Sequence, residues 1–307
     1  MSVRYIGSGP YCYANSLAMV MGPGAPEPAV LEMLTGSPFG MQLHQGHIPF
    51  FDPLGWDPVI GLDAATDLLG WTSERSGGGT ADEAAGRLRR ATPAAPLLVG
   101  PVELGLLLHR PGSGTALGAD HFVVVIGVEK ETVLFHDPQG HPYATLPIED
   151  FLTAWRADSI GYPTEPYSMR RDFRRVRRRE THAALRASLV AARRRLAVQN
   201  FGESGSLGGA AAAGRLAELV EAGLRPWQHE HLVRFAVRVG ARRLADASVL
   251  LAGIGEREAA RIAEHQARLV GALQHPLVNG DRALAAGILR ALAPTYDQMA
   301  EALDDHA

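Results

Sequence analysis

The sequence predicts a mixed α+β domain over residues 1–168, followed by an all-α domain over residues 169–307. Two apolar, β-branched runs, Phe122 to Val128 and Thr132 to Phe135, flank a short polar break. This pattern is typical of an antiparallel hairpin. An apolar segment near the start of the chain favours a helix, and after the Arg-dense stretch 168–180 apolar residues recur at helical spacing. These observations separate a sheet-containing part from a helical part.

Local signals supply the other elements of the first domain. Gly and Pro residues divide it into short segments that favour helix or strand. We expect helices over 12–22, 28–34, 62–70, 82–91 and 151–155, and a buried strand over 96–102. Residues 37–61 are rich in aromatic residues, Gly and Pro. We interpret them as an ordered loop that lines a pocket.

The second domain consists of helices separated by Gly and Pro. We expect them over 181–200, 209–224, 228–252, 255–273 and 281–303. His229 and His231 resemble metal ligands, but alternate residues of a helix point apart, so a solvated or capping role is favoured.

The predicted hairpin begins with His121 and ends in Asp137-Pro138. A turn near Glu129 or Lys130 brings Asp137 level with His121 or one pair diagonal to it. In the level register both side chains point to one face, because side chains alternate along a strand. A carboxylate on an imidazole fixes its tautomer and supports its charged form, as a general base requires. The alternative is an ordinary strand that starts with His and ends in Asp-Pro.

The nucleophile that this pair needs is offered by Cys12, the single cysteine. It follows a Gly/Pro loop and precedes the apolar segment 14–21, so it lies at a helix N-terminus. Unpaired N–H groups and the helix dipole favour a thiolate there. A lone Cys is usually an inert core residue. The ordered set of Cys12, His121 and Asp137 favours catalysis instead.

With Cys12, His121-Phe122-Val123-Val124-Val125 and Asp137-Pro138 in place, and with Phe151 and Trp155 following, the chain resembles the papain-like, C39-type cysteine peptidase fold. Within that fold it resembles the butirosin biosynthesis H (BtrH-type) acyltransferases. Cys12 lies near the chain start without a pro-segment, Leu31 to Gly40 occupies the place of a Glu- and Gly-containing stretch, and a long helical part follows the hairpin. The resemblance covers about residues 5–165.

The resemblance implies an enzyme of antibiotic or other natural-product biosynthesis in a bacterium. Such enzymes move an acyl group from a carrier-protein thioester, through an acyl-cysteine, to an amine. The partners would be an acyl or peptidyl carrier protein and a small-molecule amine. No cofactor of its own is implied, since phosphopantetheine arrives on the carrier.

The sequence departs from the papain-like pattern at the residue that usually donates to the oxyanion. Papain-like enzymes often carry a Gln about six residues before the Cys, where this chain has Ile6. The Cys12 backbone N–H would have to serve instead. The further oxyanion or substrate-binding candidates are Asn15, Ser8, Tyr11, Tyr13, His44 and Trp56.

Composition excludes several classes of protein. The net charge is −3, which argues against a nucleic-acid binder, and one cysteine excludes an intrachain disulfide framework and suits a reducing cytoplasm. No apolar run reaches membrane-spanning length, and the first residues lack the pattern of a secretory signal. We therefore expect a cytoplasmic protein without nucleic-acid or membrane partners. A homodimer is compatible with the sequence, which leaves the oligomeric state open.

The Arg-dense stretch has two interpretations. Arg174, Arg175, Arg177 and Arg178 form either a docking surface for an acidic carrier protein or a solvated helix face whose Arg stems pack at the domain junction.

Two other functions stay open. The same triad suits a cysteine peptidase or amidase, or a hydrolase or cyclase that releases a thioester. A catalytically idle papain-like binding domain is the alternative from another class. It would be favoured if His121 and Asp137 pointed to opposite faces. The residues His44, His47 and Asp52 lack a helical ligand spacing, so no metal site is predicted.

Overall fold

The computed structural model describes residues 4, 6–7, 9–198, 200–201 and 205–304. It divides into two compact units that the chain visits alternately. The sheet unit comprises Met1–Pro28 and Gly70–Arg178, and the helical unit comprises Ala29–Leu69 and Arg179–Ala307.

Thirteen α-helices lie in the part of the chain that the structure describes. In chain order they are α1 Cys12–Met21, α2 Pro28–Leu34, α3 Pro58–Leu68, α4 Ala81–Leu88, α5 Ile148–Trp155, α6 Thr181–Leu196, α7 Gly209–Ala222, α8 Pro226–His231, α9 Val237–Gly253, α10 Arg257–Ala272, α11 Gln274–Asn279, α12 Arg282–Leu292 and α13 Pro294–Asp304.

The strands within the described ranges form two antiparallel sheets. They are β1 Gln42–His44, β2 Ile48–Phe50, β3 Trp71–Ser76, β4 Leu97–Glu103, β5 Asp120–Glu129, β6 Thr132–Asp137, β7 His141–Pro147, β8 Met169–Arg175, β9 Asn200–Phe201 and β10 Ser206–Gly208. The sheet unit holds six strands in the order β3-β8-β4-β5-β6-β7, and the helical unit holds four in the order β2-β1-β10-β9. A mixed α+β fold with a C-terminal helical part, as the sequence predicts, is confirmed. The expected all-α character of residues 169–307 is wrong, because β8, β9 and β10 lie in this part and pair with other strands.

Strand β5 is the centre of the sheet unit because both of its faces are buried. Val123 and Val125 join the core beneath α4 and α5, which contains Trp155. Val124 and Ile126 pack on the other face, against Met19 of α1. Two buried faces explain the continuous apolar run that the sequence shows here.

The β5–β6 hairpin turns at Lys130 and Glu131, as predicted. Both residues have positive φ, 46° and 63°, and they connect the paired residues Glu129 and Thr132. Two successive left-handed residues are the geometry of a tight two-residue hairpin turn. The turn thus fixes where the two strands begin to pair.

An irregularity between Val125 and Gly127 then shifts the register of this hairpin by one residue. Beyond it Val124 lies opposite His136, which puts Asp137 opposite Val123. In the register that the turn alone sets, Asp137 would face Val124 and point to the other side of the sheet. The bulge therefore brings Asp137 to the face of β5 that Val123 and His121 share.

The helical unit contains a buried ion cluster that joins distant parts of the chain. The guanidinium of Arg243, on α9, lies 2.7 Å from Glu32 Oε1 and 3.0 Å from Asp52 Oδ2. Gln42 donates to Asp52 over 2.6 Å. All these side chains are buried, so the cluster fixes residues 29–69 to the C-terminal helices.

This cluster explains why the predicted boundary at 168/169 differs from the division observed. Residues 29–69 belong to the helical unit, and the sheet unit continues to Arg178. The predicted loop 37–61 also contains the β1–β2 hairpin, and β1 pairs with β10 of the C-terminal part. Short strands that pair with a partner over 150 residues away leave no local signal in the sequence.

The Arg-dense stretch is not a helix face, which corrects the packing interpretation. Residues 169–175 form β8, between β3 and β4 of the six-stranded sheet. Arg171 lies opposite Glu74 and pairs with it at 2.7 Å. Cross-strand ion pairs and the apolar stems of Arg allow so basic a segment to form a strand.

Candidate active site

His121 and Asp137 form a buried hydrogen-bonded pair, as the sequence predicts. His121 Nε2 donates to Asp137 Oδ1 over 2.7 Å, and both side chains are fully excluded from solvent. The pair takes the diagonal arrangement, because Asp137 lies opposite Val123 rather than opposite His121. A bond through Nε2 leaves Nδ1 as the ring nitrogen that can exchange a proton with another group.

That nitrogen, His121 Nδ1, is buried and has no hydrogen-bond partner among the residues that the structure describes. A buried polar atom without a partner costs free energy, and a catalytic role is one explanation for such an atom. His121 Nδ1 is therefore a candidate for exchanging a proton with a group outside the pair.

Asp137 is also held by groups that the sequence analysis missed. His109 Nε2 lies 3.0 Å and Arg110 Nη1 3.2 Å from Asp137 Oδ2. The Gln139 backbone N–H donates to Oδ1 over 2.8 Å, and the Gln139 side chain accepts from Arg110 Nη2 over 2.7 Å. Both oxygens of the carboxylate are thus engaged, and its orientation is fixed.

These contacts determine the charge of Asp137. Burial raises the pKa of the carboxyl, but the charge of His121 and the hydrogen bonds from His109, His121 and Gln139 outweigh burial. The pKa consequently lies far below its ordinary value, and Asp137 is an anion throughout the neutral range. An anion at this position holds a proton on His121 Nε2 and fixes the orientation of the ring.

The loop that carries His109 and Arg110 is anchored by Glu103, a buried carboxylate at the end of β4. Glu103 accepts from the backbone N–H groups of Gly105, Leu117 and Gly118, at 3.0, 2.9 and 3.0 Å. It also accepts from the Ser159 hydroxyl. A signal for this role was present in the sequence, since an acidic residue that ends a buried strand needs donors nearby.

Cys12 is the first residue of α1 and is partly exposed, which confirms the predicted position at a helix start. The preceding residue, Tyr11, is buried and left-handed, with φ 82° and ψ 44°. A non-glycine residue in this region costs on the order of 1 kcal/mol, and such strain is concentrated at functional sites. The chain therefore enters α1 through a strained turn directly before the cysteine.

Helix α1 runs alongside β5 in the same direction. The Tyr13 and Phe122 rings meet edge to face at 6.2 Å, and Ser16 Oγ donates to the Phe122 carbonyl over 3.1 Å. Further along, Met19 packs on Val124. The start of α1 is therefore at the end of the sheet where β5 begins and where His121, its second residue, lies.

His121 and helix α1 lie on opposite faces of β5. Side-chain alternation puts His121 on the face of Val123, beneath α4 and α5, whereas α1 packs on the face of Val124. His121 and Asp137 point to one face, as predicted, and Cys12 approaches from the other side at the end of the strand. The structure brings two of the three predicted catalytic groups into contact.

The other candidates have varied surroundings. Asn15 is buried and donates to the Pro10 carbonyl over 3.3 Å, so its amide stabilises the turn before α1. Tyr13 is a core residue, and Ser8 lies outside the described residues.

His44 and Trp56 belong to the helical unit. Trp56 is buried, donates from Nε1 to the Thr35 carbonyl over 2.8 Å, and lies under the Arg243 guanidinium. His44 is half-buried, and burial, followed by the charge of His47, lowers its pKa. Trp56 is therefore a core residue of this unit.

The two histidine-containing motifs that the sequence raised as metal sites have other partners. Asp52, in the 37–61 segment, is engaged by Arg243 and Gln42. His229 and His231 donate from Nε2 to the carbonyls of Leu277 and Pro49, each over 2.8 Å. His229 thus caps a carbonyl in the last turn of α11, one of the roles that the sequence analysis favours, whereas His231 binds the backbone of β2.

In the described ranges, none of the helices combines the length and the apolar character needed to cross a membrane.

Comparison with known proteins gives two matches. Residues 203–304 match a family described as the YobF C-terminal domain. The uncharacterized protein YobF of Bacillus subtilis (strain 168) is 31% identical over 161 residues, which is 52% of this chain and 52% of that protein. The chain thus spans about half the length of the curated relative that it matches. The family match falls on the C-terminal helices, outside the unit that contains Cys12, His121 and Asp137.

Proposed function

We propose that the sheet unit is a cysteine-dependent acyltransferase of the BtrH type, with a papain-like arrangement of Cys12, His121 and Asp137. The observation that carries the proposal is the buried His121–Asp137 pair, 2.7 Å apart, whose second imidazole nitrogen is unsatisfied within the described part of the chain. Support comes from α1, because Cys12 begins this helix at the end of the sheet where β5 begins and His121 lies.

In the proposed reaction, Cys12 Sγ attacks the carbonyl carbon of a carrier-bound thioester. The bond from that carbon to the phosphopantetheine sulfur breaks, and the departing thiolate takes the proton that His121 removed from Cys12. The amine of the acceptor then attacks acyl-Cys12, His121 takes the amine proton, and Cys12 leaves as a thiolate. Asp137 orients His121 and stabilises its charged form throughout.

Donors for the oxyanion would come from the start of α1. The backbone N–H groups in the first turn of α1 point out of the helix start, where the helix dipole favours negative charge. Such donors, aimed at the developing negative charge, are a large part of catalysis in acyl transfer. The reaction needs no resident cofactor, because the phosphopantetheine arm belongs to the carrier protein. A cytoplasmic site of action follows from the same proposal, since a carrier protein is an intracellular partner.

Closing the triad requires movement at the end of the sheet. His121 Nδ1 has to turn toward Cys12, and we expect the substrate-free protein already to sample this closed arrangement. The division of His121 and α1 between the faces of β5 favours the second candidate, a catalytically idle binding domain. A peptidase, amidase or thioester hydrolase would use the same acyl-enzyme and differ only in the final acceptor.

Thiol reactivity separates catalysis from the idle alternative, because Cys12 is the single cysteine and any thiol label reports on it alone. We expect iodoacetamide at pH 7 to alkylate the wild type at least ~10-fold faster than a free cysteine, as expected for an activated thiolate. His121→Ala should remove this excess, whereas His182→Ala, at an exposed position on α6, should not. Equal rates in all three proteins would favour the idle domain.

The acyl-enzyme is tested with a short pantetheine thioester. Intact-mass analysis should show one acyl adduct on the wild type and none on Cys12→Ala. Adding a simple amine such as glycine methyl ester should then yield the amide. Release of only the free acid, at the same rate with and without amine, would favour the hydrolase.

A further inference from the structure

A second feature of the Asp137 region lies beyond the proposed triad. Asp137 and His141 are directly opposite each other across the β6–β7 hairpin, so their side chains share one face. His109 reaches the same place from the loop that Glu103 anchors, and its Nε2 is 3.0 Å from Asp137 Oδ2. One possible ligand atom from each of His109, Asp137 and His141 lies within 4.8 Å of the others.

Two imidazoles and one carboxylate form a donor set that binds zinc-type cations and leaves a coordination position open. A tetrahedral ion about 2.0–2.2 Å from each donor holds the donors roughly 3.3–3.6 Å apart. Contraction by about 1 Å would close the cluster on an ion of this size. His141 can supply that movement, because it is half-buried at the start of β7. The histidine rings already stand nearly perpendicular, with centroids 5.1 Å apart.

In this structure a different cation, the Arg110 guanidinium, is bound to Asp137 Oδ2. Its Nη1 is 3.2 Å from Asp137 Oδ2, whereas Oδ1 is taken by His121 and by the Gln139 N–H. The Arg110 side chain is 22% exposed and has a second acceptor in Gln139, so it can leave Oδ2 without losing all its partners. Asp137 Oδ2 is therefore a place where one cation can replace another.

We propose that His109, Asp137 and His141 form a binding site for a divalent, zinc-type cation, which takes the place of the Arg110 guanidinium on Asp137 Oδ2. The site is distinct from Cys12 and leaves the His121 bond to Oδ1 in place.

Zinc binding is measured by calorimetric titration with zinc chloride. The background is Cys12→Ala, which removes the thiol as a competing ligand. We expect one equivalent of zinc to bind this protein. His141→Ala in the same background should weaken binding at least ~10-fold, the loss typical even of outer-shell partners. His182→Ala is the matched control and should leave the affinity unchanged.

Arg110→Gln should change the zinc affinity in the opposite direction from His141→Ala. Removing the competing guanidinium should tighten zinc binding, whereas an adventitious surface site would be indifferent to Arg110. Equal affinities for His141→Ala and His182→Ala would overturn the proposal, and so would the absence of binding in the Cys12→Ala background. A thermal melt establishes that each variant is folded, and His141→Gln replaces His141→Ala should the latter unfold. These readouts do not depend on acyl transfer, so failure of the metal site and failure of the proposed function are distinguishable.

Discussion

The Asp137 carboxylate accepts hydrogen bonds from three side chains and one backbone N–H. An Asp that merely ends a strand needs fewer partners. Asp137→Asn keeps the shape of the side chain but removes the charge that supports protonated His121. We expect turnover with the thioester and amine to fall by up to ~10⁴-fold, as for a triad carboxylate in serine proteases. Activity is measured by steady-state kinetics and stability by urea unfolding.

The matched control for this change is Asp120→Asn, adjacent to His121. Asp120 accepts from the Tyr162 hydroxyl over 3.1 Å, so it is a hydrogen-bonded carboxylate outside the pair. Its turnover should stay within a few-fold of wild type. Should Asp137→Asn also keep turnover within a few-fold of wild type, His121 would have another functional partner.

The sequence predicted the pair but not its surroundings, for identifiable reasons. His121 and Asp137 are the end residues of two strands joined by a short turn, so local pattern brings them together. His109 and Arg110 lie in a loop 27 to 28 residues before Asp137 and reach it only through the anchor at Glu103. No periodicity links a loop residue to its tertiary partner, which is why these residues were missed.

His231 gives the helical unit a predictable response to acid. Burial lowers its pKa, although the hydrogen bond from its Nε2 to the Pro49 carbonyl opposes this. The unfolded chain takes up a proton near pH 6.5, whereas the folded state resists it, so stability falls as pH drops from about 7.5 toward 5.5. Urea unfolding at these pH values should show this fall for the wild type and a smaller one for His231→Gln. Identical pH profiles would mean that His231 is not responsible.

Among the secondary-structure elements, helices were predicted better than strands. Helix α1 begins at Cys12 as expected, and α5 ends at Trp155 as expected. Strands β3 and β8 were not predicted, because their residues are mostly polar or basic and their stability comes from neighbouring strands. Strand β7 was not predicted because its two prolines, Pro142 and Pro147, argue against a strand. The bulge before Gly127 was also missed, although a glycine inside a strand is a known signal for one. This irregularity decides whether Asp137 can meet His121 at all.

Arg243 on α9 holds the segment that contains α2 and the β1–β2 hairpin. Arg243→Ala would leave Glu32 and Asp52 buried without their shared cation. Breaking a buried ion pair by removing one partner costs about 3–5 kcal/mol, and we expect a loss of this size in the free energy of unfolding. Arg242→Ala is the control, since the neighbouring Arg242 is 41% exposed and pairs with Asp246 at the surface. A loss below about 1 kcal/mol for Arg243→Ala would contradict the assigned role of the cluster.

Across the whole molecule, the two units are not consecutive segments of the chain. Residues 29–69 leave the sheet unit and join helices more than 100 residues later, so a single cut at 168/169 would divide both units. Composition marks the Arg-dense stretch as a boundary, and the division after Arg178 lies at its end. The passage of residues 29–69 into the helical unit has no such signal in the composition. The ion cluster that fixes this segment joins Arg243 to Glu32 and Asp52, which precede it by 211 and 191 positions.

The Arg-dense stretch itself tests the proposed carrier partner. Arg175 has a packing role, since its guanidinium donates to the Gly24 carbonyl over 2.7 Å and stacks on Trp71. Arg174, Arg177 and Arg178 are exposed and remain the docking candidates. Reversing these three to Glu should raise the KM for an acidic carrier-protein substrate and leave kcat for a short thioester mimic nearly unchanged. The wild-type reaction with the carrier should also weaken with salt, because exposed charges are screened over about 10 Å at 0.1 M ionic strength.

Arg175→Glu separates docking from packing within the same basic stretch. It should lower the melting temperature and reduce the rates with carrier and mimic alike, because it removes the contacts with Gly24 and Trp71. The triple reversal should instead lower the rate with the carrier far more than the rate with the mimic. Losses of equal size on carrier and mimic in the triple variant would show that these arginines do not receive the carrier. The acyl donor would then have to dock elsewhere, with the basic stretch serving only to complete the edge region of the sheet.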